Sequence, residues 1–140
     1  MGRIMAIDYG TKRVGLAVTD PSQIIATGLT TVHSDNLMPY IQDYSQQEPI
    51  DAFVVGDPRN LDNTPADIAH LVKGFVKKLK KQFPGKQVHP IDERLTSKVA
   101  RQSMIESGMK KKDPQNKATV DEISATLILQ SFLDQKKPFD

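Results

Sequence analysis

The stretch RIMAIDYGTKRVGLAVTD (residues 3–20) contains an apolar run that ends at an acidic residue. Ile4 to Ile7 has the character of a buried strand, and Asp8 follows directly, before a turn built on Gly10. An ionised carboxylate at the inner end of a buried strand loses hydration, which is costly unless a cation or hydrogen-bond donors replace the water. Asp8 is therefore either a compensated structural acid or one half of a functional site.

The composition is that of a soluble globular chain of moderate size. Its 140 residues can bury one core, so we expect a single domain over residues 1–140. No apolar run approaches the ~20 residues that cross a bilayer, and the first residues lack a signal-peptide pattern. We therefore expect a cytoplasmic protein without a membrane partner. Because the chain has no cysteine, a metal would need oxygen or imidazole ligands.

Basic residues are concentrated in one third of the chain, although the net charge is only +2. Residues 73–117 carry 13 Lys and Arg against 4 Asp and Glu, which gives this block a net charge of +9. Such a block favours a polyanionic partner such as nucleic acid, since each neutralised phosphate releases counterions. The alternative is a solvated helix face followed by a charged loop.

Periodicity and turn residues predict an α/β domain with a mixed sheet and helices on both faces. The predicted strands are 4–7, 14–18, 26–32, 51–58 and 87–91, the first three as a meander. The first predicted helix is 36–47, and the second is a lysine-rich helix that begins with the cap residues Thr64, Pro65 and Asp67. A short helix is predicted at 98–107. The last predicted helix begins at a Thr119/Glu122 capping box and ends near Lys136. The polar segment GMKKKDPQNKAT (108–119) is predicted to be a mobile loop.

Asp121 is the second residue of the predicted last helix, and its position on the helical wheel is unusual for an acid. At about 100° per residue, Ala125, Ile128 and Phe132 all fall within about 40° of it. The carboxylate therefore lies on the centre of the apolar face and is expected to point at the sheet. The alternative is that Asp121 only complements the helix dipole, which favours acids in the first helical turn.

Further acids follow the predicted inner strands. Asp57 comes near the end of the fourth strand, and Asp92 and Glu93 follow the fifth. Ligands bind where the carboxyl ends of such strands meet, so we expect these acids to share a pocket with Asp8 and Asp121. Crowded like charges repel unless they share protons or bind divalent cations. Oxygen ligands favour Mg²⁺ or Mn²⁺, and two such ions about 4 Å apart support phosphodiester hydrolysis.

Basic side chains adjoin these acids in the sequence. The four that we predict to contact nucleic-acid phosphates are Lys12, Arg13, Arg94 and Lys98. The alternative is that they are salt-bridge partners of the acids. The run KKK at 110–112 could close over a bound substrate.

Four motifs together resemble the YqgF (RuvX) family, a bacterial branch of the ribonuclease H-like superfamily. They are MAIDYGTKRVGLAVTD, FVVGDPRNLDNT, IDERLTS and VDEISATLILQSFLD, in this order over almost the whole chain. The resemblance implies a five-stranded ribonuclease H-like sheet with an antiparallel second strand. It also implies a hydrolase, a metal-dependent nuclease that either resolves Holliday junctions or matures the 5′ end of pre-16S rRNA during ribosome biogenesis.

By the same resemblance, the catalytic and metal-binding acids are Asp8, Glu93 and Asp121. In the mechanism that we expect, Asp8 bridges two Mg²⁺ or Mn²⁺ ions, and Glu93 and Asp121 each bind one. Cleavage would leave a 5′-phosphate and a 3′-hydroxyl. The fourth-strand motif departs from the family pattern, because Asp57 stands where the family has an apolar residue between Gly and Pro. Asp57 could therefore supplement or replace Glu93. A glycine expected after Asp62 is also absent, which leaves the conformation of that loop open.

Three alternatives to an RNA-processing nuclease are open from the sequence. A resolvase of four-way DNA would need a homodimer, whereas an RNA-processing enzyme could be a monomer. A noncatalytic nucleic-acid-binding module would use only the basic block. An ATP-binding domain is suggested because DYGTKRVGLAVTD also resembles the first phosphate loop of the actin, sugar kinase and Hsp70 superfamily. That superfamily uses two such domains and a second phosphate loop, for which this sequence has no candidate. No short motif here distinguishes RNA from DNA.

Overall fold

The computed structural model describes residues 2–57, 68–92 and 114–136, with the side chains of residues 121–135 in the last range. In these ranges the strands are β1 (Arg3–Tyr9), β2 (Arg13–Thr19), β3 (Ala26–His33), β4 (Ile50–Asp57) and β5 (Gln87–Asp92). The helices are α1 (Leu37–Gln47), which follows a 3₁₀ turn at Ser34–Asn36, then α2 (Ala69–Gln82) and α3 (Pro114–Lys136). The five predicted strands and the helix predicted at 36–47 are confirmed.

The five strands form one mixed sheet in the order β3-β2-β1-β4-β5. Short turns join the first three strands as a meander, so β2 pairs antiparallel with both β1 and β3. β4 pairs parallel with both β1 and β5. The predicted five-stranded sheet with an antiparallel second strand is therefore confirmed.

Helices cover both faces of the sheet, and each face has its own apolar core. The side chains of the central strand β1 alternate between the two faces. Met5 and Ile7 belong to the core shared with α1 and α2, whereas Ile4 and Ala6 belong to the core shared with α3. Burial on both faces explains why β1 is a continuous apolar run rather than an alternating one.

The last helix begins earlier than the sequence pattern predicts. α3 starts at Pro114, so the predicted loop over 108–119 is wrong from Pro114 onward, and Thr119 and Glu122 do not form an N-terminal capping box. Proline is well tolerated at the first helical position, because its missing N–H needs no acceptor there. Pro114 therefore marks the start of a helix and not a loop.

The earlier start of α3 changes the interpretation of Asp121 but not its place on the helical wheel. Ala125 and Ile128 are fully buried against the sheet, as the wheel predicts. Asp121 now lies two turns beyond the start of α3. The helix dipole acts on acids within the first turn, so the dipole does not explain an acid at this position.

Several predicted features fall outside the described residues. They are the cap residues Thr64, Pro65 and Asp67, the short helix at 98–107 and the basic run at 110–112. Within the described ranges, none of the helices combines the length and the hydropathy that a membrane span requires.

A glycine in β2 allows α3 to approach the sheet closely. Gly15 lies in the middle of β2, and a Cβ atom at this position would overlap the backbone carbonyl group of Asp121. Any side chain at position 15 would therefore push α3 away from the sheet. Gly15 thus determines how near Asp121 comes to the central strands.

We expect Gly15→Ala to destabilise the protein by about 1–3 kcal/mol, the usual cost of overpacking a core. Urea unfolding monitored by circular dichroism measures this free energy. Gly74→Ala is the matched control, because nothing lies within 4 Å of a Cβ added to Gly74 in α2. Alanine favours a helix interior over glycine by about 0.5–1 kcal/mol, so this control should stabilise. A Gly15→Ala protein as stable as the parent would contradict the close packing of α3.

Candidate active site

The parallel strands β1, β4 and β5 end at one edge of the sheet, and each carries an acid at or near its end. Asp8 is the next-to-last residue of β1, and Asp57 and Asp92 are the last residues of β4 and β5. In α/β sheets, ligands bind outside the carboxyl ends of the strands. The structure therefore brings these three acids to the edge where the sequence predicts a site.

Asp8 lies on the side of the sheet that α3 covers. Ile4 and Ala6 contribute to the core under α3, and side chains two residues apart in a strand point to the same face. Asp8 is directly opposite Gly15 in the antiparallel ladder, and Gly15 is the residue against which the backbone of Asp121 packs. The lack of a side chain at Gly15 therefore makes Asp8 and Asp121 neighbours.

The surroundings of Asp121 disfavour its charged form. Its side chain keeps 22% of its full exposure, and burial raises the pKa of the Asp121 carboxyl above its ordinary value. Arg13 opposes this shift through its positive charge and its hydrogen bond, whereas the negative charges of Asp8 and Glu122 add to it. The negative charge of Asp8 therefore acts on Asp121, which agrees with the position of the two acids on the same side of the sheet.

Arg13 is the counterion of Asp121 in this structure. Its Nε donates a hydrogen bond to Oδ2 of Asp121 at 3.0 Å. The Arg13 side chain is 47% exposed, and ion pairs this exposed contribute only about 0–1 kcal/mol. The pair is therefore weak enough to exchange partners when another cation or anion arrives.

A cavity of about 420 Å³ is lined by the turn that joins β1 to β2 and by Asp121. Its lining residues are Gly10, Thr11, Lys12, Arg13 and Asp121. Ser34 holds the turn in place: its N–H donates to the carbonyl of Lys12 at 3.0 Å, and its hydroxyl donates to the carbonyl of Thr11 at 2.8 Å. The cavity thus has an acidic wall and a braced basic wall, which suits a phosphate group near a cation site.

Asp57 belongs to the other side of the sheet. Phe53 and Val55 contribute to the core under α1 and α2, whereas Val54 contributes to the core under α3. By the same alternation, Asp57 falls on the α1 and α2 side, opposite to the side of Asp8. Asp57 pairs in register with Asp92 of β5. The structure therefore brings Asp57 to the predicted edge of the sheet but not to the face that carries Asp8 and Asp121.

The remaining predicted site residues, Glu93, Arg94 and Lys98, lie outside the described residues. Glu93 follows directly after Asp92, the last residue of β5. Among the residues that the structure describes, no group of three His, Cys, Asp or Glu side chains is placed to hold a metal ion. The roles of Glu93, Arg94 and Lys98 therefore stay predictions.

Two residues that shape this site were not predicted from the sequence. Gly15 did leave a signal, because a glycine inside an apolar strand often marks the close approach of another backbone. Ser34 left none, since its two hydrogen bonds join a turn and a 3₁₀ segment whose contact depends on the sheet register.

Comparison with known sequences identifies the family. Residues 2–135 match the model of the RuvX family, which is described as Holliday junction resolvase. A relative from Phocaeicola vulgatus is 51% identical over 137 residues, covering 98% of this chain and 99% of its own. A relative from Flavobacterium psychrophilum is 48% identical over 136 residues, covering 97% and 99%. Both relatives are named as candidate pre-16S rRNA nucleases.

Comparison with solved structures identifies the fold. Thermus thermophilus RuvC superposes with a TM-score of 0.57 at 16% identity, covering 98% of this chain and 99% of that chain. The same protein in complex with a Holliday junction substrate gives a TM-score of 0.54 at 15% identity, covering 99% and 100%. The ribonuclease H-like fold predicted from the motifs is thereby confirmed, and with it the class of hydrolytic nuclease that the family match supports. This chain belongs to the RuvX family.

Proposed function

We propose that this chain is a metal-dependent endonuclease of structured RNA and that it processes the 5′ end of pre-16S rRNA. The observation that carries the proposal is the pairing of Asp8 with Asp121 at the carboxyl edge of β1, beside the basic turn at Lys12 and Arg13. The names of the relatives, which match nearly the whole chain, support the same substrate. A cytoplasmic location follows from that substrate, and the protein acts as a monomer or a homodimer.

The side chains at this edge fit a divalent metal. Asp8 and Asp121 offer carboxylate oxygens, the donors that Mg²⁺ and Mn²⁺ prefer. Burial raises the pKa of Asp121 most, and the negative charge of Asp8 adds to it; a cation between the two acids would offset both effects. We assign Asp8, Glu93 and Asp121 to hold two such ions. When bound, these ions supply an activated water and stabilise the leaving oxygen in phosphodiester hydrolysis.

The basic residues of the site bind and orient the substrate phosphate. Arg13 is held by Asp121 through one exposed ion pair, so it can turn to a phosphate once a cation neutralises that carboxylate. Lys12 is exposed on the same turn and adds a second positive charge to the cavity wall. Arg94 and Lys98 are proposed for the same role from the segment that follows β5.

Cleavage of four-way DNA is the second candidate function. It is favoured by the description of the RuvX family and by the fold shared with RuvC bound to a Holliday junction. Purified protein assayed on a pre-16S 5′-leader RNA and on a four-way DNA junction separates the two candidates. We expect cleavage of the RNA, and pre-16S rRNA with an extended 5′ end in cells depleted of the protein. Cleavage of only the DNA junction, with a normal rRNA end in depleted cells, would replace the first candidate by the second.

We expect Asp8→Asn to lower the cleavage rate of the leader RNA by on the order of 10²-fold or more, the effect of losing one group that stabilises the transition state. The same change should raise the melting temperature in a chelator, since it removes a negative charge beside Asp121. Rates under single-turnover conditions and thermal melts in EDTA measure the two effects.

Asp57→Asn is the matched control for this variant. It makes the same chemical change at the same sheet edge but on the face away from Asp121, so it should retain cleavage. Equal losses in both variants would show that Asp57 shares the ligand role. Full cleavage by the Asp8→Asn protein would exclude the acid pair as the catalyst. RNA binding without any cleavage by the parent would instead indicate a noncatalytic binding module.

We expect a pH-dependent stability difference between Asp121→Asn and the parent in a chelator. The folded-state pKa of Asp121 is raised, so the carboxylate penalises folding increasingly as the pH rises through that pKa. The variant should therefore be the more stable protein at neutral pH, and its advantage should shrink as the pH falls below that value. Adding Mg²⁺ should stabilise the parent more than the variant. Thermal melts over a pH series measure this, and a parent more stable in EDTA at neutral pH would contradict it.

A further inference from the structure

The outer face of α2 carries an unusual concentration of positive charge. Its fourteen residues include no acid and five lysines, all of them exposed. The lysines are Lys73, Lys77, Lys78, Lys80 and Lys81. Within the described ranges, none of them forms an ion pair with a carboxylate. The charge of this helix is therefore neutralised neither by its own residues nor by described neighbours.

Four of these lysines form one face that points away from the sheet. At about 100° per residue, Lys73, Lys80 and Lys81 lie within about 60° of Lys77 on the helical wheel. The buried residues Val72, Phe75 and Leu79 lie about 140–160° from Lys77 on the same wheel. We call Lys73, Lys77, Lys80 and Lys81 the α2 basic face. At 1.5 Å per residue it extends for about 12 Å.

Helix stability does not account for the α2 basic face. Lys80 and Lys81 are in the last turn, where the helix dipole favours cations. Lys73 and Lys77 are not in that turn, and they are four residues apart, a spacing at which like charges repel and destabilise a helix. Lys77 and Lys81 repeat the same unfavourable spacing. A polyanion bound along this face would remove that repulsion.

The α2 basic face and the acid pair lie on opposite sides of the sheet. α2 packs on the face that carries Met5 and Ile7, whereas α3, with Asp121, packs on the face that carries Ile4 and Ala6. The lysines also point outward from their own layer. Nucleic acid bound at the acid pair and nucleic acid bound along the α2 basic face therefore lie on opposite sides of the sheet.

We propose that the α2 basic face binds the phosphate backbone of a second helical arm of the RNA, so that the preferred substrate is bent or branched at the cleavage site. One arm crosses the carboxyl edge of β1 beside Asp8, and the other lies along α2. This inference rests on the proposed function, because it takes the nucleic acid at the acid pair as its starting point. It adds a recognition surface outside the site and a shape requirement for the substrate.

The test compares RNA binding by two double variants that remove the same charge. Lys73→Gln with Lys77→Gln removes the centre of the α2 basic face. Lys78→Gln with Lys86→Gln is the control, since Lys78 lies about 100° around the helix from Lys77 and Lys86 lies beyond α2; both are exposed. All proteins carry Asp8→Asn, so that binding is measured with Mg²⁺ present and without cleavage. The probes are a three-way RNA junction and a linear RNA duplex with the same number of phosphates.

We expect the Lys73 and Lys77 variant to lose affinity for the junction. The slope of the logarithm of its binding constant against the logarithm of the salt concentration should become shallower by about 2. Its affinity for the linear duplex should fall less than its affinity for the junction, because a straight duplex can bind at either surface alone. Both affinities of the control variant should stay near those of the parent. Equal losses on junction and duplex, equal losses in the two variants, or no loss at all would each overturn the proposal. The result does not depend on catalysis. Full cleavage by the Asp8→Asn protein would contradict the proposed function, whereas these binding outcomes would contradict only the binding of a second arm to α2.

Discussion

The contact between the backbone of Asp121 and Gly15 is the constraint on which the site depends. It lets α3 lie directly against β2, and because Gly15 is opposite Asp8 in the ladder, it places two carboxylates next to each other at the end of a buried strand. Their repulsion and the burial of Asp121 make this arrangement unfavourable on its own. A weak ion pair from Arg13 relieves part of the repulsion. A cation at the same place would relieve the rest, and the proposed metal-dependent function rests on this point.

The fold separates the charge of the chain in space as well as in sequence. Asp8 and Asp121 lie at one edge and on the α3 side, whereas the α2 basic face lies on the other side and points outward. The nearly neutral net charge of +2 hides this division. A layered α/β domain with a sheet between the two groups can present acids to a cation and lysines to phosphates without neutralising either.

Much of this architecture could be predicted from local pattern. The continuous apolar run of β1 indicated a buried strand, and the wheel around Asp121 placed that acid against the sheet although the predicted start of its helix was wrong. The start was missed because proline marks both loops and first helical turns, and only packing distinguishes the two. The face of Asp57 was missed for another reason: its position after a buried strand predicts an edge, and the side of the sheet follows only from the register of β4 against its neighbours. The bracing of the turn by Ser34 depends on contacts between segments and leaves no sequence signal.

The most direct measurement of the central claim is a crystal structure of the protein soaked in Mn²⁺, with the ion located by its anomalous scattering. We expect an anomalous peak bound by carboxylate oxygens of both Asp8 and Asp121, with the Arg13 side chain withdrawn from Asp121. An ion bound elsewhere would contradict it. So would carboxylates more than roughly 10 Å apart, a separation that two bridged ions cannot span.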